Sequence, residues 1–102
     1  MTLTDKTGAP VTVSKEADKF TVAVDGKTVG FTEYTDDSGS RVFPHTEVDE
    51  EFGGRGLATI VIGEAVAQTK AEGLRIVPMC PTVKSYIDKH PEYADLVDNP
   101  GR

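Results

Sequence analysis

Hydrophobic and polar residues alternate along the first half of the chain. The stretch Phe20–Val24 alternates with a period of two, which is typical of a strand with one buried face. Asp25-Gly26 follows directly, and this pair favours the type I′ turn of a β-hairpin. The pattern then predicts a returning strand over Val29–Tyr34 and a third strand over Arg41–Val48, and it permits an earlier strand over Pro10–Ser14. Consecutive strands with short turns between them predict an antiparallel meander.

The third predicted strand has two distinct faces. Side chains alternate between the faces of a strand, so residues two apart share a surface. One face is expected to carry Phe43, His45 and Glu47, and the opposite face the even-numbered positions from Val42 to Val48. The third strand should therefore place a histidine beside a carboxylate.

The period changes to that of a helix after residue 55. No proline occurs over residues 56–72, and apolar side chains cover most of the helix circumference, so we expect a helix buried on most sides. Gly73 suits the left-handed conformation that ends many helices. The β-rich stretch Leu74–Met79 predicts a fourth strand, and Pro78 within it predicts that the strand ladder is broken on one side.

A second, shorter helix is predicted near the end of the chain. Pro81 can occupy the first turn of a helix. Residues 83–89 continue this helix, and His90-Pro91 ends it before a helical turn over Glu92–Leu96. The element order is β-β-β-α-β-α, and this mixture of a mostly antiparallel sheet with helices belongs to the α/β (α+β) class.

Length and composition fit one compact domain over residues 1–102. The chain is 37% hydrophobic, enough for a single core, which we expect over about residues 15–98 with flexible ends. One cysteine cannot form an internal disulfide, and the longest apolar run, Ile60–Ile62, is far shorter than the ~18 residues of a membrane span. Because the start of the chain is neither basic nor apolar, we expect a cytoplasmic protein that is not bound to a membrane.

The charge is concentrated in the first half of the chain. The net charge is −6, and residues 1–51 carry 11 of the 17 acidic but only 5 of the 11 basic side chains. Without a basic stripe, a nucleic acid is not an expected partner, whereas a cationic molecule is. Two widely separated histidines and one cysteine do not make a metal site.

A glycine-rich turn is the strongest chemical signal in the chain. Residues 52–58 read Phe-Gly-Gly-Arg-Gly-Leu-Ala between a predicted strand and the long helix. The glycines let the backbone curl so that its N–H groups converge, and the helix adds the positive end of its dipole. Arg55 supplies a fork of donors suited to phosphate. The turn predicts an anion cradle, although a purely structural corner with an exposed arginine fits the same spacing.

The glycine-rich turn resembles the motif Gln/Arg-x-x-Gly-x-Gly/Ala of the GNAT superfamily of acetyl-CoA-dependent N-acetyltransferases, with Gly53 at the position of Gln or Arg. Further motifs resemble the small single-domain branch of that superfamily. They are His45-Thr46-Glu47-Val48, Val77-Pro78-Met79-Cys80-Pro81, Tyr86 and His90-Pro91-Glu92-Tyr93. The resemblance covers the chain from about Phe20 to Val97.

This resemblance implies a twisted, mostly antiparallel sheet with a central helix behind it and two strands that splay apart. Acetyl-CoA would lie between the splayed strands, with its pyrophosphate on the amides of the glycine-rich turn and its thioester near Cys80 and Tyr86. The implied cofactor-binding residues are Val48, Gly53, Gly54, Arg55, Gly56, Leu57, Ala58, Met79 and Cys80.

Four side chains are candidates for catalytic groups. Cys80 directly precedes the helix opened by Pro81, whose positive end would lower the pKa of the thiol. It is either an acetyl-accepting nucleophile or a small residue buried in the core. His45 and Glu47 could remove a proton from an ammonium group, or be a half-buried histidine and a solvated edge charge. The resemblance implies that Tyr86 returns a proton to the CoA thiolate, and a packed aromatic side chain is the alternative.

The function implied by the resemblance is transfer of the acetyl group of acetyl-CoA to an amine acceptor. A small amine, a peptide N-terminus and a protein lysine all fit, and the chain would act as a monomer or weak homodimer. Two other classes stay open. One is a non-catalytic module that binds acyl-CoA, since a chain this short lacks the later strands with which larger family members build an acceptor pocket. The other is an interaction protein in which the glycine-rich turn is only structural.

Overall fold

The computed structural model describes residues 3–4, 8–52 and 56–97. The expected flexible C-terminal end, residues 98–102, and Gly53, Gly54 and Arg55 of the glycine-rich turn lie outside the described residues. The described strands are β1 (Leu3–Thr4), β2 (Pro10–Lys15), β3 (Lys19–Val24), β4 (Lys27–Glu33), β5 (Thr35–Asp37), β6 (Ser40–Val42), β7 (Thr46–Val48) and β8 (Arg75–Val77). The α-helices are α1 (Leu57–Ala71) and α2 (Pro81–Lys89), and short 3₁₀ helices span Glu50–Phe52 and Pro91–Leu96.

The strands form two sheets. The larger sheet is antiparallel and has the order β1-β2-β3-β4-β7. The smaller sheet has the order β5-β6-β8, in which β5 and β6 are antiparallel and β6 and β8 are parallel. The predicted mostly antiparallel α/β fold is therefore confirmed.

The β3–β4 hairpin turns at Asp25-Gly26, as the sequence predicts. Both residues have positive φ, 51° and 85°, as the type I′ turn requires. The earlier strand that the pattern permitted is also present, because β2 pairs with β3 from Val11 to Lys15.

The prediction of one continuous third strand over Arg41–Val48 is wrong. Its first part, β6, pairs with β8, and its last part, β7, pairs with β4. Between them Phe43 is 1% exposed and belongs to the core, whereas His45 is exposed. The expected common face of Phe43 and His45 is therefore wrong too. The chain changes sheets here because the Phe43 ring packs inward and Pro44, which has no N–H, cannot continue the ladder.

Helix α1 packs against both sheets and forms the centre of the core. It ends before Gly73, which has the predicted positive φ of 75°. The helix contacts β3, β4, β7 and β8. Its buried side chains are Leu57, Val61, Ile62, Ala65, Val66 and Thr69. No helix among the described residues is long and apolar enough to span a membrane.

A buried arginine joins several elements at the end of α1. The Arg41 side chain of β6 is fully buried and donates from Nε and Nη2 to Asp36 at 2.6 and 3.0 Å. Its Nη1 and Nη2 each donate to Glu72 at 3.1 Å, and Lys15 of β2 donates to the same carboxylate. Glu72 thus connects the larger sheet, the smaller sheet and the end of α1. Four hydrogen bonds to two carboxylates compensate the cost of burying the guanidinium.

Candidate active site

The two sheets part at a point that we call the fork, formed by Phe43, Thr46, Val77 and Cys80. The β6–β8 pairing ends with Val42 beside Val77. Beyond it, the amide of Phe43 donates to the carbonyl of Val77 at 3.0 Å, and the amide of Cys80 donates to the carbonyl of Phe43 at 2.8 Å. From there β7 follows the larger sheet, while the chain after β8 turns into α2. The broken ladder that Pro78 predicted is found here.

Strand β7 presents backbone groups to this gap. The amide of Glu33 donates to the carbonyl of His45, and the amide of Asp49 donates to the carbonyl of Val29, so odd-numbered residues of this segment face β4. In an antiparallel pair, the backbone N–H and C=O groups of successive residues point alternately toward the partner strand and away from it. The N–H and C=O groups of Thr46 and Val48 therefore face the gap, where they can bind an extended ligand.

Cys80 lies at the closed end of the gap. It is the N-cap of α2, with Pro81 in the first turn, and is 5% exposed. Burial disfavours the thiolate, but hydrogen bonds from Thr46, from the amides of Val83 and Thr82 and from the Thr82 hydroxyl outweigh it and lower the pKa of Cys80. The helix start therefore acts on the thiol through specific donors, as its position before Pro81 suggested.

Two threonines lie behind this thiol, and neither is among the predicted site residues, although Thr46 belongs to the His45-Thr46-Glu47-Val48 motif. The Oγ1 of Thr46 is 3.5 Å from the Sγ of Cys80 and 2.8 Å from the Oγ1 of Thr32. Thr32 and Thr46 are cross-strand partners in β4 and β7, and Thr32 is fully buried. The contact between them depends on the register of β4 and β7, which the sequence does not show.

His45 and Glu47 lie together, as predicted, on an exposed surface. The Nε2 of His45 is 3.4 Å from Oε2 of Glu47, and the His45 ring lies 6.1 Å from that of Phe31. Because side chains alternate along β7, Glu47 points to the sheet face opposite Thr46 and the Cys80 thiol. A cleft of about 390 Å³ on β4 and β7 includes Phe31, Glu47, Asp49 and Glu50 in its lining.

Tyr86 packs between the helices. Its ring stacks on His90 with 3.9 Å between ring centroids, and the Nδ1 of His90 is 2.8 Å from the carbonyl of Tyr86. Burial, and then the charges of Tyr93, Glu92 and Glu64, raise the pKa of Tyr86. The phenol therefore keeps its proton at neutral pH and is available as a proton donor.

A second cleft, of about 410 Å³, separates the first half of α1 from α2. It combines hydroxyl groups with basic side chains, and its lining consists of Thr59, Ile62, Pro81, Thr82, Ser85, Tyr86, Lys89 and His90. The size of this cleft, and the hydroxyl and basic groups among its apolar side chains, suit a nucleotide-bearing ligand.

The described part of the glycine-rich turn fits an anion. Gly56 is the N-cap of α1 in the left-handed conformation (φ 78°) and provides no side-chain cap. The first amide to find a partner within α1 is that of Ile60, which donates to Gly56, so the amides of residues 57–59 point out of the helix end. Such amides are a ready site for a phosphate group.

The remaining predicted cofactor-binding residues differ in how far their side chains are buried. The side chain of Leu57 is buried in the core, so only its backbone is available to a ligand. Ala58 and Val48 are half-buried, and Val48 packs against the core. Met79 is 65% exposed beside the fork.

Comparisons with known proteins agree with this architecture. A family model described as GCN5-related N-acetyl-transferase matches residues 19–96. The chain is similar to the NMR solution structure of a GCN5-like protein from Staphylococcus aureus, with a TM-score of 0.67 and 21% identity, over 86% of this chain and 88% of that one. No curated protein matches the sequence.

Proposed function

The chain belongs to the GCN5-related N-acetyltransferase family, and we propose that it transfers the acetyl group of acetyl-CoA to an amine. The observation that carries this proposal is the fork, where a gap between two sheets ends at a hydrogen-bonded cysteine. A helix start whose N-cap is a glycine, and a cleft between α1 and α2 that includes hydroxyl and basic groups, belong to the same region of the fold.

The cofactor would be held by backbone at both of its ends. The outward amides of residues 57–59, with Gly53, Gly54, Arg55 and Gly56 of the glycine-rich turn, would bind the pyrophosphate. The pantetheine arm would lie in the gap between Val48 on one side and Met79 and Cys80 on the other. The outward N–H groups of β7 support this placement, because they supply hydrogen bonds to an extended chain.

The amine acceptor would approach from the exposed face of β7. There Glu47 lines an acidic cleft and the Nε2 of His45 lies 3.4 Å from the Glu47 carboxylate, so the two side chains can attract an ammonium group and accept its proton. The neutral amine would then pass from this face into the gap and attack the thioester carbonyl there, and CoA would leave as a thiolate when the carbon–sulfur bond breaks. The outward amide of Val48 would stabilise the developing oxyanion, and Tyr86 would donate a proton to the departing thiolate.

Cys80 offers a two-step route to the same product. Its thiolate would attack the thioester carbonyl and release CoA as a thiolate, leaving an acetyl group on Sγ. The amine would then attack that acetyl-cysteine and lose a proton to the base, and the carbon–sulfur bond would break to release Cys80 as the thiolate again. The lowered pKa of the thiol supports this route.

Incubation with acetyl-CoA, followed by intact-mass measurement and an assay of CoA release with a panel of amines, tests both routes. We expect acetylated amine from the parent chain and a hydroxylamine-labile adduct that is absent in Cys80→Ala and retained in Tyr86→Phe. Full transfer by Cys80→Ala without any adduct in the parent would leave direct attack as the mechanism. CoA binding without transfer to any amine would refute the acetyltransferase and identify a binding module.

A further inference from the structure

The Cys80 thiol is backed by a pair of hydroxyl groups that the mechanism above does not require. Thr46 contacts the sulfur and Thr32 contacts Thr46, so Sγ, Oγ1 and Oγ1 form a chain with separations of 3.5 and 2.8 Å. The chain begins at the start of α2, crosses β7 and ends inside the larger sheet at Thr32, which is fully buried. Packing alone would be served equally well by valine at either threonine position, since valine has the same shape.

We propose that Thr46, supported by Thr32, is a positioning residue that stabilises the thiolate of Cys80 and so prepares it to accept an acetyl group. The inference rests on the proposed acetyltransferase function. It assigns the two threonines a role that acts through Cys80, and neither is expected to touch the acceptor.

The hydrogen bonds of this chain can reverse direction when the thiol ionises. A hydroxyl has one proton to donate and two lone pairs to accept with. With a protonated thiol, Sγ donates to Thr46, as the described geometry permits. With a thiolate, Thr46 turns its proton to the sulfur, and Thr32 donates to the oxygen of Thr46 in its place. Burial of Thr32 keeps water from replacing that second donor.

The other groups around the thiol are neutral as well. The donors that favour its thiolate are the hydroxyls of Thr46 and Thr82 and the amides of Thr82 and Val83, and burial opposes them. No charged side chain among these contacts stabilises the thiolate, so the loss of one hydroxyl donor should be measurable. Hydrogen bonds to charged groups are about twice as strong as those between neutral groups.

The step that this thiolate performs is a transthioesterification. A bond forms between Sγ of Cys80 and the acetyl carbon, the bond from that carbon to the CoA sulfur breaks, and the electron pair leaves with the CoA thiolate. No oxidant, reductant or further reactant takes part. When the thiolate charge moves to the leaving sulfur, Thr46 and Thr32 return to their first arrangement.

Titration of the full chain by thiolate absorbance near 240 nm tests the inference, because Cys80 is the single cysteine. The signal of Cys80→Ser is subtracted to remove tyrosine ionisation. We expect Thr46→Val to move the titration midpoint upward by about one pH unit, about a tenfold loss of thiolate at neutral pH. Thr32→Val should cause a smaller upward move, and Thr46→Ser, which keeps the hydroxyl, should restore the parent midpoint.

Thr35→Val, at an exposed position of β5, is the matched control and should titrate like the parent. Circular dichroism of each variant verifies that it is folded. An unchanged midpoint in Thr46→Val, or one that Thr46→Ser fails to restore, would overturn the inference even if acetyl transfer occurs.

Acetyl-enzyme formation provides the second readout. With acetyl-CoA at neutral pH, we expect the adduct on Cys80 to form about tenfold more slowly in Thr46→Val than in the parent, and at the parent rate in Thr35→Val. Transfer to amines with no adduct in the parent would overturn the role of the threonines in acetylation. Absence of both adduct and transfer would overturn the proposed function, while the titration still decides whether the threonines stabilise the thiolate.

Discussion

Gly63 shows how a single missing side chain places a candidate catalytic group. It lies in the middle of α1, where a Cβ atom added to it would be 2.9 Å from the phenol oxygen of Tyr86 and 3.4 Å from the carbon that bears it. Glycine within a helix costs roughly 0.5–1 kcal/mol relative to alanine. The absence of a Cβ at Gly63 leaves room for the Tyr86 hydroxyl of α2 to lie directly against α1.

Gly63→Ala should displace the Tyr86 hydroxyl and lower the rate of acetyl transfer. The added methyl group meets the rigid end of an aromatic ring, so the ring or α2 must move by several tenths of an ångström. We expect kcat to fall about tenfold, while the melting temperature changes little because helix propensity offsets the strain. Steady-state kinetics and a thermal melt measure the two effects.

The matched control removes the atom that meets the new methyl group. If Gly63 acts through the Tyr86 oxygen, adding Gly63→Ala to Tyr86→Phe should have little further effect on kcat. Equal losses in both backgrounds would contradict this explanation.

Among the elements, α1 ends in a set of charges that connects both sheets. Glu72 accepts hydrogen bonds from Arg41 and Lys15, and these hold the pKa of its carboxyl at about 2, below the ordinary 4.5. The hydrogen bond from Arg41 lowers the pKa of Asp36 as well. As the pH falls, these two carboxylates are therefore protonated at a higher pH in the unfolded chain than in the folded chain.

Acid should destabilise the fold through Glu72. A carboxyl whose pKa is lower in the folded state stabilises that state above its unfolded pKa, and the stabilisation is lost as pH falls toward the folded pKa. We expect the melting temperature to decline between about pH 5 and pH 2. Glu72→Gln should reduce the free energy of unfolding at neutral pH by about 1 kcal/mol and make the decline shallower.

Thermal melts across this pH range measure the effect. Glu92→Gln, in the 3₁₀ helix after α2, is a suitable control because Glu92 is exposed and its carboxyl has no hydrogen bond to Arg41 or Lys15 in the described structure. A decline equally steep in Glu72→Gln and in the parent would show that other carboxylates govern acid unfolding.

The elements themselves were largely predictable from local pattern. Alternation and the Asp25-Gly26 pair predict the β3–β4 hairpin, and apolar periodicity followed by Gly73 predicts α1, because these signals depend on neighbouring residues only. The split of the third strand was missed, although Pro44 lies at the break. The alternation of polar and apolar residues does not show which strand a segment pairs with. For the same reason, neither the Thr32–Thr46 contact nor the burial of Arg41 could be predicted from the sequence.

At the scale of the whole molecule, the excess of acidic residues in the first half of the chain gathers partly around one cleft. Glu47, Asp49 and Glu50 lie along the cleft on the exposed face of β4 and β7. The cleft between α1 and α2 instead includes Lys89 and His90. The fold thus separates an acidic cleft from one that includes a lysine, and under the proposed function the acidic cleft would attract a cationic acceptor.

Ionic strength should therefore affect transfer according to the charge of the acceptor. For amines that are protonated at neutral pH, we expect kcat/KM to fall several-fold from low to high salt, since exposed charges are screened. An aromatic amine that is uncharged at the same pH should show a much weaker dependence. Glu50→Gln should flatten the salt dependence of cationic acceptors without changing that of the aromatic amine, and equal salt dependence for both amines would contradict electrostatic attraction.

The fork has its origin in the sequence, because each of the two segments that leave it begins with a proline. Pro44 follows Phe43 on one side, and Pro78 follows Val77 on the other. A proline nitrogen carries no hydrogen, so neither position can donate a backbone hydrogen bond that would join the two sheets across the gap. The opening is therefore already present in the chain's own structure. Under the proposed function, a pantetheine arm would not have to separate a strand pair in order to enter, and this would reduce the free-energy cost of binding.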